Sequence, residues 1–403
     1  MLSTKIKIVF IVFCEYSQQW EEYFCIRELL EDFDIEYWDC SDFVHIGVHL
    51  PEETRRPFVK KIANLKEFKR GLQCLPKDTL INLDVHFNKE NYKFHKLLSS
   101  SFKHIIFVDF YANAQSHDAI TNSSYTSNND EKISTFKRFK RWIFQNDICQ
   151  LIGKSVAHPQ KFNDYLFDFF EKTEEKMYVK HLISCRPGSS MYINHPDVNK
   201  VFFQSKNKKP LVNDKYIVYV DQNFPYHAEL KEWVKDLDVE LIADKHFKSL
   251  NNFFDVIERK YGCKVIIAAH PSSDYSNNPF GGRTILYHAT ENLVANSFAV
   301  CMHSSNAISY VILYDKPILV LLNEAIKAVQ CSYYPTVNLI NKCCLESVDL
   351  DNISNVFGFV KVPTTKRLEY LLEYFGSSEL NPRKSNTQLF KEYYVNLHTE
   401  IYG

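Results

Sequence analysis

Polar side chains of types that can bind a ligand or take part in catalysis follow three apolar runs in the second half of the chain. They are Asp221 and Gln222 after the first run, His270 after the second, and His303, Ser304 and Ser305 after the third. Because the carboxyl ends of parallel strands meet at one edge of a sheet, we expect these residues to border one pocket. Serine hydroxyls and free backbone N–H groups at a helix start bind anions, so the pocket would suit a phosphorylated ligand.

The loop 272–283 joins two of these strand ends and adds a cation. It contains the sequence Asn-Pro-Phe-Gly-Gly-Arg, in which Gly281 and Gly282 permit positive φ or close backbone approach. The guanidinium of Arg283 can donate two parallel hydrogen bonds to a phosphate or to the carboxylate of an acidic sugar. We therefore predict that Arg283 contributes to the same pocket.

Each of these residues also has an ordinary structural interpretation. The dipeptide His-Pro occurs three times, and only His270-Pro271 follows a clear buried strand. A Ser-Ser pair at a helix start is commonly only a cap, an isolated arginine commonly lies at the surface, and Asp221 can form a turn. The joint placement of the set at one sheet edge, rather than any single residue, favours a nucleotide-phosphate site.

The elements that must position these residues alternate between strand and helix. Apolar runs predict strands at 6–13, 35–38, 79–83, 104–108, 216–220, 264–269, 298–302 and 318–322, and helical periodicity or caps predict helices at 18–31, 290–294, 306–314 and 386–402. This alternation predicts an α/β fold with two doubly wound lobes, each a parallel sheet covered by helices.

The domain boundary is predicted at a polar, charged stretch, 205–215, which we interpret as a linker. The first lobe would span 1–205 and bind an acceptor, and the second, 206–385, would bind the nucleotide. The amphipathic segment 386–403 is predicted to be a C-terminal helix that crosses back to the first lobe.

Composition narrows the class of protein. The chain has 403 residues, of which 45% are hydrophobic and 24% charged, an ordinary composition for a soluble protein. A net charge of −1 argues against a nucleic-acid partner. The 11 cysteines include no C-x-x-C pair, which favours a reduced compartment over a disulfide scaffold or a zinc site. The apolar run 6–13 is too short to span a membrane and lacks a signal cleavage site, so we expect a cytoplasmic protein.

A basic, aromatic segment, 137–144, has two interpretations. It reads Lys-Arg-Phe-Lys-Arg-Trp-Ile-Phe. It is either a solvated helix face or a patch for anionic lipid or a lipid-linked phosphate, which would place the protein peripherally at the inner membrane.

An ordered series of motifs resembles a known group of enzymes. An apolar strand ending in His-Pro and another ending in His-Ser-Ser resemble the motifs of bacterial sialyltransferases and related CMP-sugar transferases. The series is most similar to the wider set of capsule, O-antigen and lipooligosaccharide glycosyltransferases of the GT-B fold, in which two Rossmann-like lobes face a cleft. The resemblance covers roughly 1–25 and 216–322, and rests on Tyr216–His227, Ala269–Pro271, Asn278–Arg283, Thr290–Val294, His303–Ser305 and Lys316–Pro317.

The resemblance implies a function and a set of roles. In this family the His-Pro histidine and the serines contact donor phosphate, which implies such contacts for His270, Ser304 and Ser305. It implies a glycosyltransferase that moves a sugar from a nucleotide donor, with CMP-sugar favoured, to an oligosaccharide or lipid-linked surface glycan. The Asp/Glu-Asp/Glu-Gly triplet that supplies the base in the sialyltransferases is not present in this sequence.

An inverting transfer needs a base for the acceptor hydroxyl and a means of stabilising the leaving phosphate. Asp84, Asp109 and Glu15 follow strands of the first half and are the candidate bases, with Asp84 preferred; each can also be a structural cap. Two Asp-x-Asp sequences, 32–34 and 236–238, lie in helix-to-strand connections and are interpreted as turns. We therefore predict no metal and no cofactor other than the donor substrate.

Other functions remain compatible with the same pattern. Sugar-nucleotide epimerases and polyol-phosphate transferases of wall polymers share the fold, and an epimerase would convert its nucleotide sugar without an acceptor. A non-catalytic nucleotide-binding scaffold would bind nucleotide without transfer and would tolerate substitution of every acidic candidate.

Overall fold

The computed structural model describes residues 5–44, 56–85, 91–109, 182–186, 189–205, 208–227, 230, 238–353, 357–375 and 382–403. These residues form two compact units. The first unit contains the described residues up to 109, those of 182–196, and 382–403. The second unit contains the described residues from 197 to 375. The units therefore divide between Pro196 and Asp197, whereas the sequence placed the boundary at 205, and the C-terminal segment belongs to the first unit.

The first unit is built on a seven-stranded mixed sheet with the order β3-β2-β1-β4-β5-β6-β7. Strands β1 to β5 pair in parallel, and β6 and β7 add to one side in antiparallel fashion. The strands are β1 (Lys7–Val12), β2 (Asp34–Asp39), β3 (Val59–Lys61), β4 (Leu80–Asp84), β5 (Ile105–Asp109), β6 (Leu182–Arg186) and β7 (Ser190–Tyr192).

The second unit is built on a six-stranded, wholly parallel sheet with the order β10-β9-β8-β11-β12-β13. The chain first builds strands outward from β8 to one side and then returns to add strands on the other side. This is the doubly wound, Rossmann-like order, with its switch point between β8 and β11. The strands are β8 (Tyr216–Val220), β9 (Lys264–Ala268), β10 (Ile285–Leu286), β11 (Ala299–Met302), β12 (Ile318–Leu322) and β13 (Ser347–Asp349). The predicted α/β class is confirmed by these two sheets.

Helices connect the strands in both units. They are α1 (Gln18–Tyr23), α2 (Ile26–Leu29), α3 (Ser41–Val44), α4 (Leu65–Cys74), α5 (Tyr92–Ser101), α6 (Pro196–Asn199), α7 (Val239–Tyr261), α8 (Thr290–Asn296), α9 (Ile308–Leu313), α10 (Glu324–Lys327), α11 (Gln330–Cys343), α12 (Thr364–Phe375) and α13 (Asn386–Tyr402). A π-helical turn, Lys200–Gln204, follows α6. The single helix predicted over 18–31 is wrong, because Cys25 adopts a left-handed conformation with φ of 52° and separates α1 from α2.

Both faces of the second sheet are buried, which explains why its strands read as continuous apolar runs. Alternate residues of β8 point to opposite faces. Tyr219 packs with Phe254 of α7 on one face, and Val218 packs with Leu293 of α8 on the other. Each such buried side chain contributes about 1.5–3 kcal/mol to folding. The helices on both faces leave the carboxyl edge of the sheet as the place where loops can form a site.

The C-terminal helix α13 packs on the first unit, as its amphipathic pattern predicted. Phe390, Tyr394 and Leu397 are buried with one face of β1, and the Tyr394 hydroxyl accepts a hydrogen bond of 2.8 Å from Asn82 Nδ2 on β4. A capping box at Ser385 begins the helix.

Among the described residues, no helix combines the length and apolar character needed to cross a membrane. The basic segment 137–144 lies outside the described residues, so its two interpretations stay predictions.

Candidate functional site

A cavity of about 280 Å³ opens at the carboxyl edge of the second sheet. Its walls come from the loops after β8, β9 and β11, together with the start of α11. Ligands of doubly wound sheets bind at this switch point, because the loops on its two sides turn in opposite directions and leave a crevice. The lining residues are Gln222, Phe224, His227, Leu230, His270, Ser304, Ser305, Asn306, Cys331 and Ser332.

His270 lies in the cavity wall directly after β9, where the sequence placed it. Its Nδ1 accepts a hydrogen bond of 3.2 Å from the backbone N–H of Ser272 and lies 2.8 Å from the Ser272 hydroxyl. A backbone N–H can only donate, so Nδ1 carries no proton and the neutral ring holds its proton on Nε2. Burial, with the neighbouring His227 ring, lowers the pKa of His270 to about 4, which keeps it a neutral donor near pH 7.

Ser304 and Ser305 also line the cavity, on the other side of the switch point. The sequence predicted that one of them caps a helix over 306–314. The structure corrects this: α9 begins only at Ile308, and its N-cap is Ala307. Ser305 Oγ instead accepts a hydrogen bond of 3.2 Å from the Ala307 N–H in the preceding turn. The serines therefore offer hydroxyl groups rather than the start of a helix.

His303 does not line the cavity, which corrects the prediction that it contacts the ligand. Its side chain is only 1% exposed, and its Nδ1 lies 2.7 Å from the Leu321 carbonyl oxygen of β12. Burial lowers the pKa of His303 to about 4, so the imidazole is neutral and donates Nδ1–H to that carbonyl. His303 therefore joins the ends of β11 and β12 beneath the site.

Arg283 does not reach the cavity either, although the sequence placed it there. Its NH2 group forms ion pairs of 2.7 Å with Glu258 and 2.5 Å with Asp255, both on α7. NH1 donates to Asn251 Oδ1 and to the Phe280 carbonyl oxygen, at 3.1 and 3.2 Å. The guanidinium is thus fully used in holding the Gly281–Gly282 turn against α7.

The residues after β8 divide between the cavity and the layer beneath it. Gln222 lines the cavity, and its Nε2 lies 3.5 Å from Ser304 Oγ. Asp221 is only 4% exposed and lies behind the wall, where it accepts hydrogen bonds from the backbone and from Tyr275. Burial raises the pKa of Asp221. The sequence could not separate these neighbours, because both follow the same strand.

The candidate bases belong to the first unit. Asp84 ends β4 beside β1, at the switch point of that sheet, and its carbonyl oxygen accepts a hydrogen bond of 3.2 Å from Phe13. Glu15 follows β1 and lies 3.4 Å from Lys61 Nζ. Asp109 ends β5, and its side chain lies outside the described part of the chain. The choice among these three acids stays a prediction.

The Asp-x-Asp sequences occupy ordinary structural positions where they are described. Asp34 begins β2 at the amino edge of the sheet and pairs with Lys7 at 2.9 Å, and Asp32 pairs with Lys391 at 2.5 Å. Asp238 is the N-cap of α7 and accepts a hydrogen bond from Leu241. Asp236 lies outside the described residues.

Several residues that line the cavity were not among the site residues predicted from the sequence. His227 lies within the motif series, and its ring centroid is 5.2 Å from that of His270. Phe224 follows β8 closely and could have been found by the same strand-end argument. Cys331 and Ser332 come from α11, more than a hundred residues after β8, and no local pattern connects them with the site.

Comparison with known proteins adds structural neighbours. No family model matches the chain, and no curated protein sequence matches it significantly. Among solved structures, the chain is similar to the calicheamicin glycosyltransferase CalG4, with 11% identity over 99% of this chain and 98% of that one and a TM-score of 0.39. It is similar to the wall teichoic acid polymerase TagF, with 10% identity over 98% and 90% of the two chains and a TM-score of 0.45. It is also similar to the UDP-GlcNAc 2-epimerase of Methanocaldococcus jannaschii in complex with UDP-GlcNAc and UDP, with 10% identity over 97% and 99% and a TM-score of 0.37.

Proposed function

We propose that this chain is a glycosyltransferase whose second unit binds the phosphate of a nucleotide-sugar donor. The observation that carries the proposal is the cavity at the switch point of the second sheet, lined by His270 on one side and by Ser304 and Ser305 on the other. Switch points of this sheet type take nucleotide phosphates because several loops converge there.

The polar groups in this cavity suit a leaving phosphate. His270 offers a neutral Nε2–H, and Gln222, Ser304 and Ser305 offer an amide and two hydroxyl groups. Such preorganised hydrogen-bond donors stabilise the negative charge that develops on the phosphate as the bond between the sugar's anomeric carbon and the phosphate oxygen breaks. These hydrogen-bond donors are neutral, so they can stabilise the charge on the phosphate without forming an ion pair. An ion pair would also bind the released nucleotide tightly.

The finer assignment follows from the motif resemblance. We propose a CMP-sugar donor, a bacterial surface glycan as acceptor, and an inverting, metal-independent transfer. A carboxylate of the first unit removes the proton from the acceptor hydroxyl, with Asp84 as first choice before Glu15 and Asp109. The protein would act in the cytoplasm, and 137–144 would contact the membrane or the lipid-linked acceptor.

Nucleotide binding tests the first part of this proposal. Thermal unfolding is measured in the presence of CMP, UDP, GDP and TDP, since a ligand that binds the folded state raises the apparent stability by about 2.7 kcal/mol at one hundred times its Kd. We expect CMP to give the largest shift. His270→Asn and Ser304→Ala should reduce the shift, and Ser276→Ala, in the exposed part of the same loop as His270, should not. If no nucleotide shifts the wild-type transition, the proposal is wrong.

Turnover separates transfer from the related activities. Asp84→Asn should abolish transfer while leaving the CMP shift unchanged, since the base does not bind the donor. Conversion of the nucleotide sugar in the absence of any acceptor would identify an epimerase instead. Normal transfer in Asp84→Asn, Asp109→Asn and Glu15→Gln alike would remove the proposed mechanism.

A further inference from the structure

A buried carboxylate lies directly beneath the cavity wall. Asp221 Oδ1 accepts a hydrogen bond of 3.0 Å from the Asn223 N–H. Its Oδ2 accepts one of 3.1 Å from the His270 N–H and one of 2.7 Å from the Tyr275 hydroxyl. All three donors are neutral, so the carboxylate is satisfied by hydrogen bonds rather than by an ion pair. Burying a charge costs free energy even when hydrogen bonds satisfy it.

Two of the three bonds, those from His270 and Tyr275, join the loop after β8 to the loop after β9, and the third holds Asn223 within the first of these loops. Asn223, fixed by Asp221, extends its Nδ2 to the Ser272 carbonyl oxygen at 3.4 Å. Ser272 in turn donates its backbone N–H to Nδ1 of His270, whose own N–H is bonded to Asp221. The network therefore closes on itself: one carboxylate fixes the backbone of His270 and, through Asn223 and Ser272, the direction of its ring.

We propose that Asp221 is a positioning residue that holds His270 as the Nε2–H tautomer, with that N–H available to an anionic ligand in the cavity. This inference rests on the proposed nucleotide site only for the identity of the ligand. It replaces the role in donor contact that the sequence suggested for Asp221, since the side chain is buried behind the wall. Tyr275 and Ser272 act in the same network.

The network needs a carboxylate rather than an amide. Asp221 uses both oxygens as acceptors, and donors approach each of them. Asparagine would present an NH₂ group to the Asn223 N–H or to the two donors at Oδ2, so at least one bond would be lost and two donors would face each other. Asp221→Asn therefore changes the network with almost no change in volume.

Nitrogen NMR of the histidine rings tests the tautomer without any ligand. In protein labelled with ¹⁵N-histidine, long-range ¹H–¹⁵N spectra distinguish a protonated from an unprotonated ring nitrogen, and His270→Asn identifies the signals. We expect wild-type His270 to be the Nε2–H tautomer at pH 7. In Asp221→Asn, signals of the Nδ1–H tautomer should appear. The matched control is Asp274→Asn, which alters an exposed carboxylate of the same loop and should leave the His270 signals unchanged.

Ligand binding by the same proteins gives the second measurement. Titrations with CMP and with inorganic phosphate should show roughly tenfold or greater weakening in Asp221→Asn, and no weakening in Asp274→Asn, because bonds to a charged acceptor are the stronger class. Tyr275→Phe, which removes one donor and keeps the ring, should weaken binding about threefold; it serves as the second variant if Asp221→Asn does not fold.

Two results would overturn the inference. One is a wild-type His270 with its proton on Nδ1. The other is an Asp221→Asn or Tyr275→Phe protein whose His270 signals and CMP affinity equal those of the wild type. If wild-type protein binds neither CMP nor phosphate, the proposed function fails, and the tautomer spectra alone decide whether Asp221 positions the ring.

Discussion

The ion-pair cluster around Arg283 allows the structure to be tested against the sequence-based prediction. The sequence assigns this arginine to phosphate, whereas the structure places it between Glu258 and Asp255 of α7 with a side chain only 9% exposed. Its guanidinium also lies 5.2 Å from the centre of the Phe254 ring. Removing the cation would leave Glu258 partly buried without its partner and release the 281–282 turn.

We expect Arg283→Ala to destabilise the second unit and to leave nucleotide affinity unchanged. Breaking a buried ion pair costs about 3–5 kcal/mol, and because Asp255 is exposed we take the lower end, about 3 kcal/mol. For a unit of this size, that lowers the melting temperature by about 6–12 °C. Arg283→Lys, which keeps the charge but not the planar fork, should lose about half as much.

Calorimetry and CMP titration on the same preparations measure both quantities. The control is Arg259→Ala, an exposed arginine on α7 whose one described side-chain bond goes to the Asp255 carbonyl oxygen; it should change stability by less than about 0.5 kcal/mol. An Arg283→Ala protein with wild-type melting temperature and no CMP binding would refute the structural assignment and restore the sequence-based one.

Three further measurements test other parts of the structure. Burial lowers the pKa of His303 from 6.5 to about 4, so the folded state resists a proton that the unfolded chain accepts, and stability in urea titrations should fall as the pH is lowered from 6.5 to 4. His303 should account for about 3 kcal/mol of that fall, so His303→Gln should make it smaller by this amount and leave the part that comes from His270. Gly281→Ala should cost more than Gly262→Ala in thermal unfolding, since both have positive φ but only the first Cβ would contact Arg283 and Asn251, at 3.0 and 3.1 Å. Tyr394→Phe should destabilise the first unit by about 1–2 kcal/mol by leaving Asn82 without its partner, and adding Asn82→Ala should cost less than the sum of the two single changes.

The strands were predictable where burial on both faces makes the sequence continuously apolar. The predicted strands 216–220 and 318–322 agree with β8 and β12 at both ends. Short edge strands carry no such signal: β10 has two residues and β13 has three, so neither was predicted. The break at Cys25 was missed because a left-handed residue other than glycine has no reliable sequence pattern.

The site was predictable to the extent that it follows from strand ends. His270, Gln222, Ser304 and Ser305 follow three parallel strands, and the sheet brings them to one edge. The strand-end argument was wrong for Arg283 and His303, because the position of each side chain depends on a partner outside its own segment. These partners are Glu258 on α7 and Leu321 on β12. A strand-end rule identifies which segment reaches the edge, but it does not tell which side chain of that segment faces the cavity.

The return of α13 to the first unit has a consequence for how the protein is made. The ribosome synthesises all of the second unit before it reaches the segment that carries Phe390 and Tyr394. Until then, the apolar face of β1 that these rings cover stays exposed to solvent. The second unit already has all of its strands by that time and can fold. The first unit, although it is begun earlier, should therefore finish folding last, and the nascent chain would depend on chaperones over that interval.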